Sequence, residues 1–302
     1  MNPALRALSR AALAAHPVSL AELNARAELL ARYDHGYLVP VEVFEDFAAL
    51  LTDPRRRGGP FRALSIGGRR SFGYHSTYYD TPGLGTFHDH RQGRRLRYRI
   101  RERVYQDSGE RQFEIKLKTG RGETVKHRQR MRGDEHALDD TRRGFLAGVL
   151  RGSYGVEAPA SLTPSLVTHY RRATFVADGQ RITCDAALVV RDVATGRTAT
   201  ADSGLVLVET KTRGKLTDAD RVLHRYGLRA AEFTKYCGGL AAVRPDLGIN
   251  RWARAVRVAF PRAVGGPGDP GDRGGPGGAS DPGDASDPDG PGRPGGVPDG
   301  ER

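Results

Sequence analysis

The segment Arg95-Leu96-Arg97-Tyr98-Arg99-Ile100-Arg101 sets the tightest limit on what this chain can fold into. Successive side chains of a β-strand point to opposite faces, so the run puts every arginine on one face and every apolar or aromatic residue on the other. A helix would scatter the same arginines around its circumference. The pattern recurs: Glu114, Lys116 and Lys118 share a face opposite Phe113, Ile115 and Leu117. Lys126, Arg128 and Arg130 share another, as do Arg181, Thr183 and Asp185, and Glu209, Lys211 and Arg213. An ordinary solvent face explains any one such strand. Several together are costly, because like charges at i and i+2 lie about 7 Å apart, about 2 kcal/mol per pair at an effective dielectric near 20 before screening. An anion between them removes that cost. A sheet closed with its charged faces inward and helices over its apolar faces makes a cationic tunnel holding the carboxylates Glu114 and Glu209.

Composition agrees with a polyanionic partner. The 302 residues carry 48 Lys and Arg against 36 Asp and Glu, a formal net charge of +12. From Val264 onward, 22 of 39 residues are Gly or Pro, none is aromatic, and eight acidic residues face three basic ones. Such a segment cannot offset its chain entropy by burial and is expected to be a disordered tail. Positions 1–263 therefore hold 45 basic and 28 acidic residues, a net of +17. The partner could be nucleic acid, a phosphorylated small molecule, a phosphate chain or an anionic membrane surface. Nucleic acid ranks last, because there is no aromatic stacking motif and no basic recognition helix.

Two cysteines, Cys184 and Cys237, cannot make a disulfide framework and are expected to be small buried apolar groups. No apolar run approaches the roughly 20 residues needed to span a bilayer, and residues 1–20 lack a secretory signal. The expected location is the cytoplasm. No Walker loop, paired CxxC, HExxH or GxSxG occurs. His88-Asp89-His90, in a Gly-flanked segment, is expected to be an exposed loop with no metal role.

The periodicities predict helices at about 3–15, 19–31, 40–51, 139–151, 217–226 and 234–242. Strands are predicted at 33–39, 73–80, 94–105, 111–119, 123–131, 168–177, 180–191 and 204–212. This is an α+β pattern: an eight-stranded antiparallel barrel with helices packed outside. Residues 1–31 are expected to be an N-terminal helical segment, 32–262 the tunnel domain and 263–302 the tail.

An ordered series of segments carries a family resemblance: RYDHGYLVP at 32, STYYDT at 76, RRLRYRIR at 94, FEIKLK at 113, HYRRATF at 169, QRITCDAAL at 180, LVLVETK at 205 and EFTKYCGG at 232. From about Arg32 to Gly239 the chain resembles the VTC domain, the polyphosphate polymerase module of the vacuolar transporter chaperone complex and its bacterial relatives, within the triphosphate tunnel metalloenzymes (CYTH-like superfamily). The resemblance implies an eight-stranded barrel with a basic lumen. It also implies transfer of the γ-phosphoryl group of ATP to a growing polyphosphate chain, with Mn²⁺ or Mg²⁺. Triphosphatase action on tripolyphosphate or an organic triphosphate is one alternative. A non-catalytic polyphosphate or inositol-phosphate receptor is another.

Residue by residue, the resemblance implies catalytic roles for Arg95, Arg97, Lys116, Arg172 and Arg181. Arg99, Lys126, Arg128, Lys211 and Lys235 would bind substrate, and Glu209 and Glu114 would hold the metal. Tyr236, beside Lys235, is expected to be packing. A membrane-embedded partner protein is implied by the resemblance alone, which would place the chain at a membrane through that partner. One departure stands out: where the family's opening strand carries a lysine just before the tyrosine of its KY pair, this chain has Gly36 before Tyr37, with Arg32 or His35 as the available substitutes.

Overall fold

In the computed structural model the described residues are 2–264, apart from 28–30, 121, 178, 213–215 and 249–250. All but the first two residues of the predicted tail lie outside them, as do Arg213 and the side chain of Arg32. Eight strands form the framework: β1 (Ala31–Pro40), β2 (Phe72–Asp80), β3 (Arg97–Tyr105), β4 (Glu110–Lys118), β5 (Thr124–Met131), β6 (Thr163–Ala177), β7 (Gln180–Asp192) and β8 (Leu205–Thr212). The helices are α1 (Pro3–Ala14), α2 (Leu20–Ala27), α3 (Val41–Thr52), α4 (Gly85–Arg91), α5 (Asp140–Tyr154), α6 (Asp218–Arg225), α7 (Lys235–Val243), α8 (Ala253–Ala259) and α9 (Pro261–Val264). Short strands at Pro17–Val18, Arg62–Leu64 and Thr198–Thr200 extend the sheet.

The strands run in the order β6-β2-β3-β4-β5-β1-β8-β7, and β7 pairs back onto β6. Every pairing around this ring is antiparallel. The sheet therefore curls round into an eight-stranded antiparallel barrel, as the strand spacing predicts. The closing contact between β1 and β5 is short, pairing Ala31 with Val125 and Arg32 with Thr124.

Closure turns the greasy side outward. Ile100, Phe113 and Ile115 on the outer faces of β3 and β4 are fully buried against Leu146 and Leu150 of α5. Phe175, Val206 and Val208 bury against Leu8 of α1 and Phe44 and Phe47 of α3. A third cluster joins Leu166 and Val190 to Phe87, Tyr236, Leu240 and Trp252. Each such side chain contributes roughly 1.5–3 kcal/mol of burial, so the helices are the outer half of the core and hold the strands in register. The first two helices belong to this packing, since Ala4, Ala7 and Leu8 of α1 and Leu23 of α2 are all buried.

Buried carboxylates bolt the helices down. Asp220, at the start of α6, accepts from Tyr37 Oη on β1 (2.8 Å) and Thr210 Oγ1 on β8 (2.6 Å), and closes a capping box with Thr217. Asp80, ending β2, accepts from the Thr86 and Phe87 amides at the start of α4 and from Tyr236 Oη of α7. Tyr236 is thus a packing residue, stacked on Tyr78 with ring centroids 5.0 Å apart. The glycines after Cys237 permit the close seat of α7: a Cβ on Gly239 would lie 2.9 Å from Val190 Cγ1 and 3.1 Å from Leu166 Cδ2.

Three expectations change. Residues 85–91 form a helix rather than a loop, so His88 and His90 do not share a face. The arginine strand begins at Arg97, with Arg95 before it and exposed. The strand predicted at 168–177 is also longer, starting at Thr163. No described helix is long and apolar enough to cross a membrane.

Candidate tunnel site

The barrel encloses a cavity of about 1280 Å³. Among the described residues, fifteen Lys and Arg and seven Asp and Glu line it, a strong excess of positive charge. The alternating pattern of β3 supplies Arg97, Arg99, Arg101 and Arg103 from one wall. Lys116 lies across from Arg99 and Glu114 across from Arg101 on β4, while Lys126 and Arg128 of β5 face Lys116 and Glu114 in turn. The second half adds Arg172, Arg181, Lys211 and, from the first turn of α7, Lys235. Arg95 is the exception among the predicted site residues. It stands outside the lining, its Nε 3.3 Å from the Gly120 carbonyl, because the strand has not begun at that position.

Internal carboxylates divide the cations into groups. Glu114 is buried and receives Arg101 Nε at 2.7 Å and Lys126 Nζ, with Arg103 Nη1 at 3.6 Å. Burial alone would raise the Glu114 pKa, but Arg101, Lys126 and Arg103 hold it well below the ordinary carboxylate range. Burial in turn pulls Lys126 down to about 8, against the pull of Glu114. Three cations surround this one carboxylate, so in this arrangement Glu114 serves as an internal counter-ion.

Asp185 is the second counter-ion. Arg172 donates both arms of its fork to it, Nε at 2.5 Å and Nη2 at 2.7 Å, and Lys235 pairs with the same carboxylate. The Arg172 guanidinium lies about 5 Å from the ring centroids of both Tyr74 and Tyr170, which stack on each other at 5.3 Å. Asp185 is held down to about 2 by Arg172 and Lys235 in opposition to its burial. Arg172, expected to have a catalytic role, lines the cavity with its fork directed at Asp185.

The third group is the most open. Lys211 Nζ contacts Glu209 Oε2 and Thr183 Oγ1, each at 2.7 Å. Lys116 Nζ sits between Asp34 Oδ2 at 2.8 Å and Glu209 Oε1 at 3.6 Å. Against the burial that would raise it, Lys211, Lys116 and Arg172 keep Glu209 well below the usual range. Asp34 and Glu209 thus flank one ammonium, a position a cation can take, and both residues line the cavity. The donor set fits a hard cation at Glu209 with Asp34. Among the described residues no group of three or more His, Cys, Asp and Glu converges, so such an ion would take further ligands from water or substrate.

Arg99 differs from its neighbours. It lines the cavity, yet its Nε is buried with no hydrogen-bond partner among the described residues. Arg97 donates Nε to His90 Nδ1 at 3.2 Å and Nη1 to the Arg94 carbonyl at 2.6 Å. Burial first, then Arg99 and Arg97, push His90 down to about 2, so this cavity histidine stays neutral. Arg128 is exposed on the lining, consistent with a place at a mouth of the tunnel.

Gly36 faces the cavity. The Ala231 amide donates to its carbonyl at 2.8 Å, and a Cβ there would lie 3.8 Å from the Ala231 and Phe233 carbonyls. His35 does not substitute for the missing lysine, since its Nδ1 lies 3.6 Å from Asp220 Oδ1, on the outer side with Tyr37. Sequence reasoning left Arg101, Arg103 and Asp34 out of the site. The first two continue the alternation of the arginine strand by parity, and Asp34 shares the parity of Gly36.

No curated protein matches the chain. Among solved structures it is similar to a candidate adenylate cyclase from Bacillus halodurans (11% identity, 67% of this chain and 93% of that one, TM-score 0.38). It is also similar to a candidate adenylyl cyclase from Hippeastrum described as having a dominant triphosphatase activity (15%, 71% and 96%, TM-score 0.38). A third is an RNA triphosphatase of S. pombe (10%, 76% and 83%, TM-score 0.27). The model of the VTC domain family matches residues 19–244, three quarters of the sequence and the whole barrel, and the chain belongs to that family.

Proposed function

We propose that the tunnel binds linear phosphate chains and that the protein is a polyphosphate polymerase, moving the γ-phosphoryl group of ATP onto the end of a chain. The observation that carries this reading is the enclosed cavity with more than twice as many cations as carboxylates on its lining, and with Arg99 lacking a protein partner for its Nε. A chain of phosphates supplies closely spaced negative charge along such a wall.

In the reaction, a terminal oxygen of the acceptor chain forms a bond to the γ-phosphorus while the bond from that phosphorus to the β,γ-bridging oxygen breaks, and ADP leaves with the electron pair. No protein nucleophile is needed, because positioning and charge neutralisation carry phosphoryl transfer. Arg97 and Arg99, with Lys116 on the adjoining strand, hold phosphate oxygens on one wall, and Arg181 and Lys211 lie across the ring. Arg128 and Lys126 extend the path along β5. Arg172 and Lys235, tethered by Asp185, contribute field rather than a free fork. Glu209 and Asp34 would hold Mn²⁺ or Mg²⁺, which would supply charge neutralisation to the phosphates.

Gly36 supports a second reading, hydrolysis of tripolyphosphate or an organic triphosphate, because one cation of the family's tunnel is missing where the backbone of Ala231 and Phe233 closes in. Incubating the full chain with ATP and Mn²⁺ and separating the products on a gel tests both. Long chains are the expected result, and Glu209→Gln should reduce their formation at least a hundredfold. Phosphate release from tripolyphosphate without chains replaces the polymerase by a hydrolase. Binding of polyphosphate without turnover of either substrate leaves a receptor.

A further inference from the structure

Outside the tunnel, His75 of β2 and His169 of β6 are directly opposed across the seam between these strands. Neither lines the cavity; they occupy the outer wall, where His169 is exposed and His75 half-buried. Their Nδ1 atoms are 3.3 Å apart, and the rings meet edge to face with centroids at 4.3 Å. Two imidazole nitrogens bound at about 2.0–2.1 Å to one tetrahedral metal ion are roughly 3.4 Å apart, so the backbone already sets the spacing such an ion requires.

The surroundings favour the right form of each ring. Thr77 Oγ1 lies 3.4 Å from His75 Nε2. A proton on Nε2 directed at that hydroxyl leaves the lone pair on His75 Nδ1, the arrangement that outer partners impose on metal-binding histidines. His169 then supplies the proton shared between the two Nδ1 atoms and can carry it on Nε2 instead, so binding through both Nδ1 atoms needs no net loss of protons. Burial, and then His169, lower the His75 pKa, and burial lowers that of His169, which keeps both rings neutral at pH 7. The nearest carboxylate on this face, Glu102 opposite Thr77, is engaged by Arg111 Nε at 2.8 Å and by Tyr79 Oη.

We infer that His75 and His169 form a second metal site, selective for an imidazole-seeking divalent ion such as Zn²⁺, Ni²⁺ or Cu²⁺, with water in the remaining positions. Oxygen-seeking Mg²⁺ and Mn²⁺ find no available carboxylate here and belong to the tunnel. An ion bridging the two rings would cross-link β2 to β6, stapling one seam of the barrel without touching its lumen.

The test uses the full chain stripped with a chelator and titrated with Cu²⁺, read by electron paramagnetic resonance and by binding calorimetry, with Zn²⁺ melting curves alongside. One tightly bound copper per chain with a two-nitrogen pattern is expected, together with a higher melting temperature in Zn²⁺. His75→Ala and His169→Ala should each weaken Cu²⁺ binding at least tenfold and abolish the two-nitrogen signal, and excess Mn²⁺ should not compete. Because His169 is exposed, His169→Gln provides a folded control, verified by an unchanged melting temperature without metal. Copper binding that survives in all three variants overturns the site, as does a wild-type chain showing no two-nitrogen copper. Tripolyphosphate binding should be the same in every variant, which separates this site from the tunnel.

Discussion

Asp185 holds Arg172 in a two-armed ion pair, with Nε at 2.5 Å and Nη2 at 2.7 Å, inside a cationic cavity. The pair shows how so many positive charges coexist at close range: embedded carboxylates sit among two or three of them at a time, and the excess charge left over is what a polyanion would meet.

Removing that counter-ion should therefore cost stability and sharpen the response to ligand. Breaking a buried pair from one side leaves uncompensated charge and costs about 3 kcal/mol. Asp185→Asn is expected to lower the urea midpoint markedly in the absence of ligand, and tripolyphosphate should restore more stability to it than to the wild type. Equal ligand shifts in the two proteins would mean that the freed Arg172 and Lys235 do not reach the bound phosphates.

Neighbouring arginines on one strand should behave in opposite ways. Arg99 has an unpartnered buried Nε, whereas Arg101 is tied to Glu114 and Tyr78. Hydrogen bonds to charged groups are worth about 1.5–3 kcal/mol, so Arg99→Ala should weaken tripolyphosphate binding about 10- to 100-fold while leaving the melting temperature unchanged or slightly higher. Arg101→Ala should lower the melting temperature, because it leaves Glu114 short of a partner. Calorimetry and thermal melts on both variants distinguish the two roles.

The acid limb of stability should be set inside the barrel. Asp185 titrates at about 2 in the folded chain and near 3.9 when unfolded, so the unfolded state takes up protons first as pH falls. Its contribution is complete above about pH 4 and disappears as pH drops toward 2; Glu114 and Glu209, also held low, act in the same direction. Stability measured by urea unfolding from pH 6 down to pH 3 should fall steeply, and Glu114→Gln should flatten that slope while lowering the plateau. An unchanged slope in the variant would assign the acid sensitivity to surface carboxylates.

Gly36 should accept a methyl group. It lies in a strand, and a Cβ there meets only the Ala231 and Phe233 carbonyls at 3.8 Å, an ordinary contact. Gly36→Ala is expected to raise stability by about 0.4–1 kcal/mol through the unfolded chain, with polyphosphate affinity preserved. Gly36→Lys tests the missing cation: tighter tripolyphosphate binding would show that the lumen still has room for it, and a large loss of stability would show that the 230–233 segment has taken its place.

Much of the barrel was legible because strand side chains alternate. Parity alone assigned Arg97, Lys116, Arg181 and Lys211 to one surface and Ile100, Ile115 and Phe113 to the other, and turn residues bounded the eight strands. Parity is silent on where strand pairing begins and on which charges meet across strands. Arg95 shares the parity of Arg97, but strand pairing begins two residues later, and its guanidinium turns to the Gly120 carbonyl. Glu114 has the parity of a metal ligand, but Arg101 and Arg103 from the adjoining strand and Lys126 from the next occupy it. The helix over 85–91 is one and a half to two turns long and is nucleated by Asp80, a tertiary anchor that a short periodicity does not reveal.

The alternation of charge with apolar residues, a local property of neighbouring amides, determined by itself that these strands would have one cationic and one greasy face. Which face turned inward was decided only when β7 met β6 and the helices covered the outside, since burying the apolar side beneath them is what makes an enclosed polar lumen affordable. The pairing of the enclosed charges was likewise tertiary. Asp185 and Lys235 lie 50 positions apart in the sequence and meet only because α7 is anchored on the wall next to Tyr170.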